Sequence, residues 1–283
     1  MRLGLIGDNI TGSLSPHLHR LAGAQAGISV TYDLLVPAAR GMDFEAVLAR
    51  VALEGWRGVN VTHPYKEKVV TKIADMDRVT RLIGAVNTVV FSPSGLQGHN
   101  TDYSGFINTY RTARGTFPPG RVCLIGAGGV GRAISFALAT LNASEIRIFD
   151  RDPTKAMALE ASICSTFPGV AAVTCFSTET AARGADGIVN CSWVGMNGHD
   201  GTPIHRGDLK GAIWAFDSVY TPSDTLFLRE AASMGLNTIS GYELFFRQGL
   251  DAWTIFSGRQ ADEVKLRREL PHSVRTSWPP QES

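Results

Sequence analysis

Short apolar runs recur along the chain, and most are separated by stretches with apolar residues at helical spacing. The runs Leu3–Ile6, Thr31–Val36, Gly58–Val61, Asn87–Phe91, Arg121–Ile125, Glu145–Phe149, Ala172–Phe176, Gly187–Asn190, Ile213–Asp217 and Asn237–Ile239 predict strands. Ala133–Leu141 and Pro153–Ser165 are typical of the helical stretches between them. Strands alternating with helices imply βαβ units, an α/β fold and mostly parallel sheets. Phe117-Pro118-Pro119-Gly120 breaks the pattern and divides it into two α/β halves, with no internal repeat in either.

Directly after that break, the predicted strand Arg121–Ile125 runs into Gly126-Ala127-Gly128-Gly129-Val130-Gly131 and then into an Ala-rich helical stretch. A GxGxxG alone is weak, because glycines mark ordinary turns. Placed between strand and helix, it is the dinucleotide-binding arrangement. Gly126 allows the tight turn, Gly128 lets the backbone approach a pyrophosphate, and Gly131 lets helix and strand pack closely. The pyrophosphate would meet free amides at the helix N-terminus. The same arrangement calls for an acid roughly twenty residues on, at the end of the next strand. Asp150 ends the strand Glu145–Phe149 and supplies a carboxylate for the adenosine ribose hydroxyls.

Composition narrows the remaining classes. The 283 residues are long enough for about two domains. With 44% hydrophobic residues, 19% charged and a net charge of +1, nothing favours nucleic acid or an acidic membrane as partner. Cys123, Cys164, Cys175 and Cys191 show no ligand spacing, and Cys123 and Cys175 read as small buried hydrophobes. His17 and His19 stand two apart on a predicted helix and point to different faces, so no metal site is expected. The N-terminus enters a strand at once without a signal-peptide layout, and no apolar run is long enough to span a membrane. The expectation is a reduced, cytoplasmic protein.

The other half carries Ser13-Leu14-Ser15-Pro16, Asn60-Val61-Thr62-His63-Pro64-Tyr65-Lys66, Gly84-Ala85-Val86-Asn87-Thr88 and Gly98-His99-Asn100-Thr101-Asp102, in that order. With the glycine loop, Asp217–Tyr220 and the Gly241-to-Gln248 segment, the chain resembles the shikimate/quinate dehydrogenase family up to about residue 258. The resemblance implies a discontinuous substrate domain (1–103 and 241–268), a Rossmann domain (104–240) and an active site between them. Residues 269–283 read as a flexible tail.

It also implies roles. Lys66 and Asp102 match the catalytic pair. This agrees with the chemistry, since oxidising a ring alcohol needs a base for the hydroxyl proton. Pro64, as a possible helix start, would fix the position of Lys66. Ser13 and Ser15 match a hydroxyl clamp on the substrate carboxylate. Ser15 before Pro16 also reads as a helix cap, and both roles are compatible. Thr62, Asn87, Tyr220 and Gln248 match contacts to a small polyhydroxylated acid. Cys191, Ser192, Val219, Gly241 and Leu244 match the cofactor side, together with Gly126 to Gly131, Asp150 and Arg151. His19 resembles a structural position, and His63 a supporting one. Assembly as a monomer or homodimer fits the family.

Three departures stand out. NADP-using members usually read Asn-Arg-Thr and a further base where this chain has Asp150-Arg151-Asp152 and Lys155. Two like charges ~4 Å apart oppose each other by about 4 kcal/mol at an effective dielectric of ~20, and salt removes part of that. Arg151 can stack on adenine with either cofactor, so the two acids favour NAD. The usual Asn-Ala-Thr loop reads Asn190-Cys191-Ser192-Trp193, which brings an aromatic toward the nicotinamide side. Leu244 stands where methionine is common. The expected activity is NAD-dependent interconversion of shikimate and 3-dehydroshikimate. Quinate, or both acids, is the alternative, although quinate users tend to carry Thr at the Ser15 position. More distant readings are a methylene-tetrahydrofolate-type dehydrogenase and a non-catalytic NAD-responsive binding protein.

Overall fold

The computed structural model describes residues 1–270, which build two six-stranded sheets. The first contains β1 (Arg2–Ile6), β2 (Thr31–Leu35), β3 (Gly58–Val61), β4 (Asp75–Met76), β5 (Thr88–Ser92) and β6 (Gly95–His99), in the order β2-β1-β3-β5-β6-β4. Strand β5 runs antiparallel to both neighbours, and the other pairings are parallel. The second contains β7 (Arg121–Ile125), β8 (Glu145–Phe149), β9 (Ala171–Thr174), β10 (Gly187–Asn190), β11 (Trp214–Asp217) and β12 (Asn237–Ile239). Its order is β12-β11-β10-β7-β8-β9, and every pairing is parallel. Strands β10 and β11 are buried along their whole length, as expected where helices cover both faces of a parallel sheet.

The described residues hold ten helices, the last two after the final strand: α1 (Ser15–Gln25), α2 (Phe44–Leu53), α3 (Arg78–Ile83), α4 (Thr101–Arg114), α5 (Gly129–Thr140), α6 (Pro153–Thr166), α7 (Thr178–Ala182), α8 (Leu226–Ser233), α9 (Gly241–Ser257) and α10 (Glu263–Glu269). Several begin on side-chain caps written into the sequence. Asn100 accepts from Tyr103 N at the start of α4, Asp152 from Thr154 N at α6, and Ser240 from Tyr242 N at α9. Helix α4 carries the chain from the first sheet to the second, and α9 lies against it. The contact is so close that a Cβ on Gly105 would lie 2.9 Å from the Gln248 amide nitrogen. One buried cluster runs from Ile83 and Ala85 through Phe106 and Tyr110 of α4 to Leu124, Phe136 and Trp214. Phe106 meets the edge of Phe216 at 5.0 Å, and truncating such a ring costs about 3–5 kcal/mol.

The structure departs from the sequence expectations at four places. Strands β4 and β6 were not legible: Gly95-Leu-Gln-Gly-His carries two glycines and no alternation, and β6 is ordered by pairing with β5 through a Pro93-Ser94 turn. Ser15 does not cap α1. It is the first helical residue, Leu14 holds the cap position, and no side chain caps this helix. Pro64 starts no α-helix. A turn closed by Tyr65 N to Thr62 O leads into a 3-10 segment at Lys68–Lys72. At the C-terminus, Glu269 ends α10 and Leu270 is buried, so these two residues are packed rather than tail-like. The rest of that segment, 271–283, lies outside the described residues.

Candidate active site

Lys66 follows β3 in the turn described above, and its carbonyl accepts from Val86 N at 2.8 Å, which fixes its backbone. Asp102 sits in the first turn of α4. The Lys66 Nζ donates to Asp102 Oδ2 at 2.6 Å, with both residues almost fully enclosed, at 9% and 5% exposure. Ion pairs this enclosed survive only with close geometry, because each charge has lost several kcal/mol of hydration.

Beside the pair runs a chain of polar side chains. Asn87 Nδ2 donates to Thr101 Oγ1 at 2.9 Å and to Gln248 Oε1 at 3.5 Å, while Asn87 Oδ1 accepts from Thr101 N at 2.8 Å. On the far side, Asn60 Nδ2 donates to Thr88 Oγ1, and Asn60 Oδ1 accepts from the Tyr32 hydroxyl at 2.8 Å. Tyr32 meets Ser15, Ser13 donates to Ser15 Oγ at 3.1 Å, and Tyr220 meets Ser13. Tyr220 stacks on Phe245 of α9 at 4.9 Å. The chain therefore brings Ser13, Ser15, Asn87, Tyr220 and Gln248 together, drawing on both sheets and on α9. Thr62 is partly buried between β3 and the Lys66 turn, with no hydrogen bond from its hydroxyl among the described residues.

Sequence reasoning missed Thr101, Asn60 and Tyr32 in this network. The available signal was the polarity of Asn60 inside the strand GVNV and of Thr101 next to Asp102. His19 lies under it, stacked on Tyr32 at 4.9 Å, and burial pulls its imidazole down to about 3. His17 is exposed on the opposite face of α1, and the described residues contain no cluster suited to a metal ion.

The glycine loop approaches the same pair from the second sheet. Gly126 adopts φ +100°, a conformation glycine accepts freely, and Gly131 has no space for a side chain because a Cβ would lie 1.9 Å from Gly126 O. Gly128 borders open space, and α5 begins without a side-chain cap, so its first amides are left for an anionic group. These features fit a dinucleotide pyrophosphate. A Cβ on Gly129 would lie 2.8 Å from Lys66 Cβ, so the loop and the buried lysine are in direct contact. At the end of β8, Asp150 Oδ2 accepts from Ala127 N at 2.7 Å and Oδ1 from Asp152 N at 2.8 Å. Asp152 faces its own helix, accepting from Thr154 as the cap of α6.

Cys191, Ser192 and Val219 line the ends of β10 and β11. Cys191 N donates to Ile125 O, Ser192 Oγ to Asn190 Oδ1, and Val219 N to Asp217 Oδ1. Burial pushes the Cys191 thiol up, so it is no nucleophile. Cys123 and Cys175 are buried as expected. Gly241 opens α9 hard against Val219 O and Asp217 O, and Leu244 is buried one turn on. Val130 packs beside them at the start of α5. The ring contacts of Trp193 are Arg151, His63 and His199, so it stands beside the Arg151 end of β8. Arg151 accordingly lies against that indole.

Residues 5–89 match the family described as the shikimate dehydrogenase substrate binding domain. The quinate/shikimate dehydrogenase (NAD(+)) of Corynebacterium efficiens is 34% identical over 94% of this chain and 95% of its own length. The shikimate dehydrogenase (NADP(+)) of Arthrobacter sp. is also 34% identical, over 94% and 92%. Among solved structures, the quinate dehydrogenase from Corynebacterium glutamicum in complex with NAD superposes with a TM-score of 0.86 at 32% identity, covering 95% of this chain and 98% of that one. No described helix is long and apolar enough to cross a membrane. Two sheets of the expected topology, a dinucleotide loop seated on a buried lysine–aspartate pair, and full-length relatives at this identity place the chain in the shikimate/quinate dehydrogenase family, whose members are dehydrogenases.

Proposed function

We propose that the protein is an NAD-preferring dehydrogenase interconverting shikimate and 3-dehydroshikimate, with Lys66 and Asp102 handling the hydroxyl proton. The observation carrying this reading is the enclosed Lys66–Asp102 pair at 2.6 Å, with Lys66 packed on Gly129 of the dinucleotide loop. Proton chemistry and cofactor are thereby confined to one point. In the oxidative direction Lys66, as the free amine, takes the alcohol proton, and in the reductive direction its ammonium returns it. Asp102 accepts a hydrogen bond from the amine and fixes where it points. NAD, when bound, supplies the hydride acceptor. Gly126 to Gly131 would hold its pyrophosphate, Asp150 and Arg151 its adenosine end, and Cys191, Ser192, Val219, Gly241 and Leu244 the other end.

Ser13, Ser15 and Tyr220 form one end of the polar chain and suit the substrate carboxylate. Thr62, Asn87 and Gln248 suit the ring hydroxyls. A site lined this way rejects an analogue lacking one hydroxyl, because a buried partner is then left unpaired. Residues 1–103 and 241–268 would form the substrate unit and 104–240 the cofactor unit. Support for NAD comes from Asp150, whose carboxylate is held at the end of β8 by two backbone amides.

The test is a set of initial rates crossing shikimate and quinate with NAD and NADP at matched concentrations. The expected outcome is turnover with NAD far above NADP, and shikimate the better acid. Equal or faster NADP turnover refutes the cofactor preference. Faster quinate oxidation transfers the assignment to quinate, the acid named for the Corynebacterium glutamicum structure and, with shikimate, for the Corynebacterium efficiens relative.

A further inference from the structure

Trp193 belongs to the loop after β10, at the position where the sequence departs from its family. Its indole has neighbours on several sides. The Arg151 guanidinium lies 5.1 Å from the ring centroid, the His63 ring meets it edge-on at 5.2 Å, and His199 stacks on it at 5.6 Å. His63 comes from the segment that carries Lys66, so this side chain links the two sheets across the cleft. Two histidines flank the indole, and its ring carries the Arg151 guanidinium. Among the described residues no hydrogen bond or ion pair competes for that guanidinium. The nearest acids in sequence are committed elsewhere, Asp150 to Ala127 N and Asp152 N, and Asp152 to Thr154.

We infer that Trp193 is a specificity-determining residue: by holding the Arg151 guanidinium on its ring, it withholds the cation a ribose 2′-phosphate needs, and so favours NAD over NADP. The inference rests on the NAD preference proposed above. It adds to the charge of Asp150 a second, independent cause of that preference. A guanidinium stacked on an aromatic face is attracted to the ring, and a phosphate recruits it as a forked donor only by drawing it off.

The experiment is calorimetric binding of adenosine 2′,5′-bisphosphate and of adenosine 5′-monophosphate to the whole protein, which reads the adenosine end without turnover. The variants are Trp193→Leu, Trp193→Ala, Trp193→Phe, and Trp193→Leu with Arg151→Ala. Leu and Ala, which lack a π face, are expected to tighten the bisphosphate relative to the monophosphate by about two- to fivefold, the range of a partly exposed cation–π contact. Phe should restore the wild-type ratio, and removing Arg151 should abolish the gain. An unchanged or lowered ratio in both Leu and Ala overturns the inference, as does a gain that survives loss of Arg151. The two readings fail separately. A wild-type protein that binds the bisphosphate better refutes the NAD preference, whereas a wild-type preference for the monophosphate with no response at Trp193 refutes only the role given to the indole.

Discussion

Replacing Lys66 by Met, Asp102 by Leu, and both together should separate the stability of the buried pair from its chemistry. At 2.6 Å and an effective dielectric of ~20, the attraction between the charges is about 6 kcal/mol. Desolvation of two groups this enclosed opposes it by several kcal/mol each, which leaves the intact pair near balance. Removing one partner strands the other charge, and each single variant is expected to lose about 3–5 kcal/mol. The losses should be unequal. In Lys66→Met the remaining carboxylate still faces the first turn of α4, where the helix dipole offsets about 0.3–1 kcal/mol, whereas the lysine left by Asp102→Leu has no such relief. The double variant strands nothing and should be no less stable than the worse single. Turnover should fall by about 10²–10⁴ in all three, since neither proton carrier nor orienting group works alone. Guanidinium unfolding midpoints and initial rates on the same preparations provide the readouts. Single losses that simply add in the double variant, within about 0.5 kcal/mol, would refute the coupled-pair reasoning.

Three further outcomes follow from other sites. His19 is held down to about 3 by burial, against about 6.5 when unfolded. Its contribution is therefore present above pH 6.5 and is lost as pH falls from there toward 3, up to about 5 kcal/mol. His19→Gln should flatten the acid limb of stability in pH-dependent denaturant titrations, and an unchanged slope refutes this. Asp217 has the opposite sign. Burial raises it to about 6, so its contribution is present below about pH 4 and lost as pH rises through 6, worth about 3 kcal/mol. Asp217→Asn should accordingly gain stability relative to wild type between pH 4 and 7, and a constant difference across that window contradicts the assignment. Gly129→Ala places a Cβ against Lys66 Cβ, and neither backbone-proximal atom can swing aside. The expected result is a drop in kcat of at least tenfold with a smaller change in unfolding midpoint, and wild-type kcat would show that the loop does not bear on Lys66.

Most of the framework was legible because the strands read as short apolar runs between helical stretches, and ten of the twelve stand out. Strand β6 did not, because Gly95 and Gly98 satisfy packing rather than propensity: a Cβ on Gly98 would press on Ile73 and Val86. Spacing points to the glycine loop and Asp150 and the motifs to Lys66 and Asp102, and the structure brings Lys66 against both Asp102 and the loop. The cap reading of Ser15 fails, since Leu14 takes the cap position and leaves the Ser15 hydroxyl to Ser13 and Tyr32. Asn60, Thr101 and Tyr32 escaped notice because their importance lies in pairing across strands far apart in sequence. Arg267 is a similar case. Nothing in its local sequence marks it, yet it bridges Glu243 and Glu263 and lies over Phe246 at 4.0 Å, fastening α10 to α9.

The two amides gripping Asp150 limit how cofactor use can drift in a lineage. A neutral apolar residue there would remove the charge but also orphan Ala127 N at the head of the glycine loop, penalising every dinucleotide alike. Asparagine drops the charge while its carbonyl oxygen still accepts that amide. Asp150→Asn is therefore expected to remove the charge without releasing the head of the glycine loop.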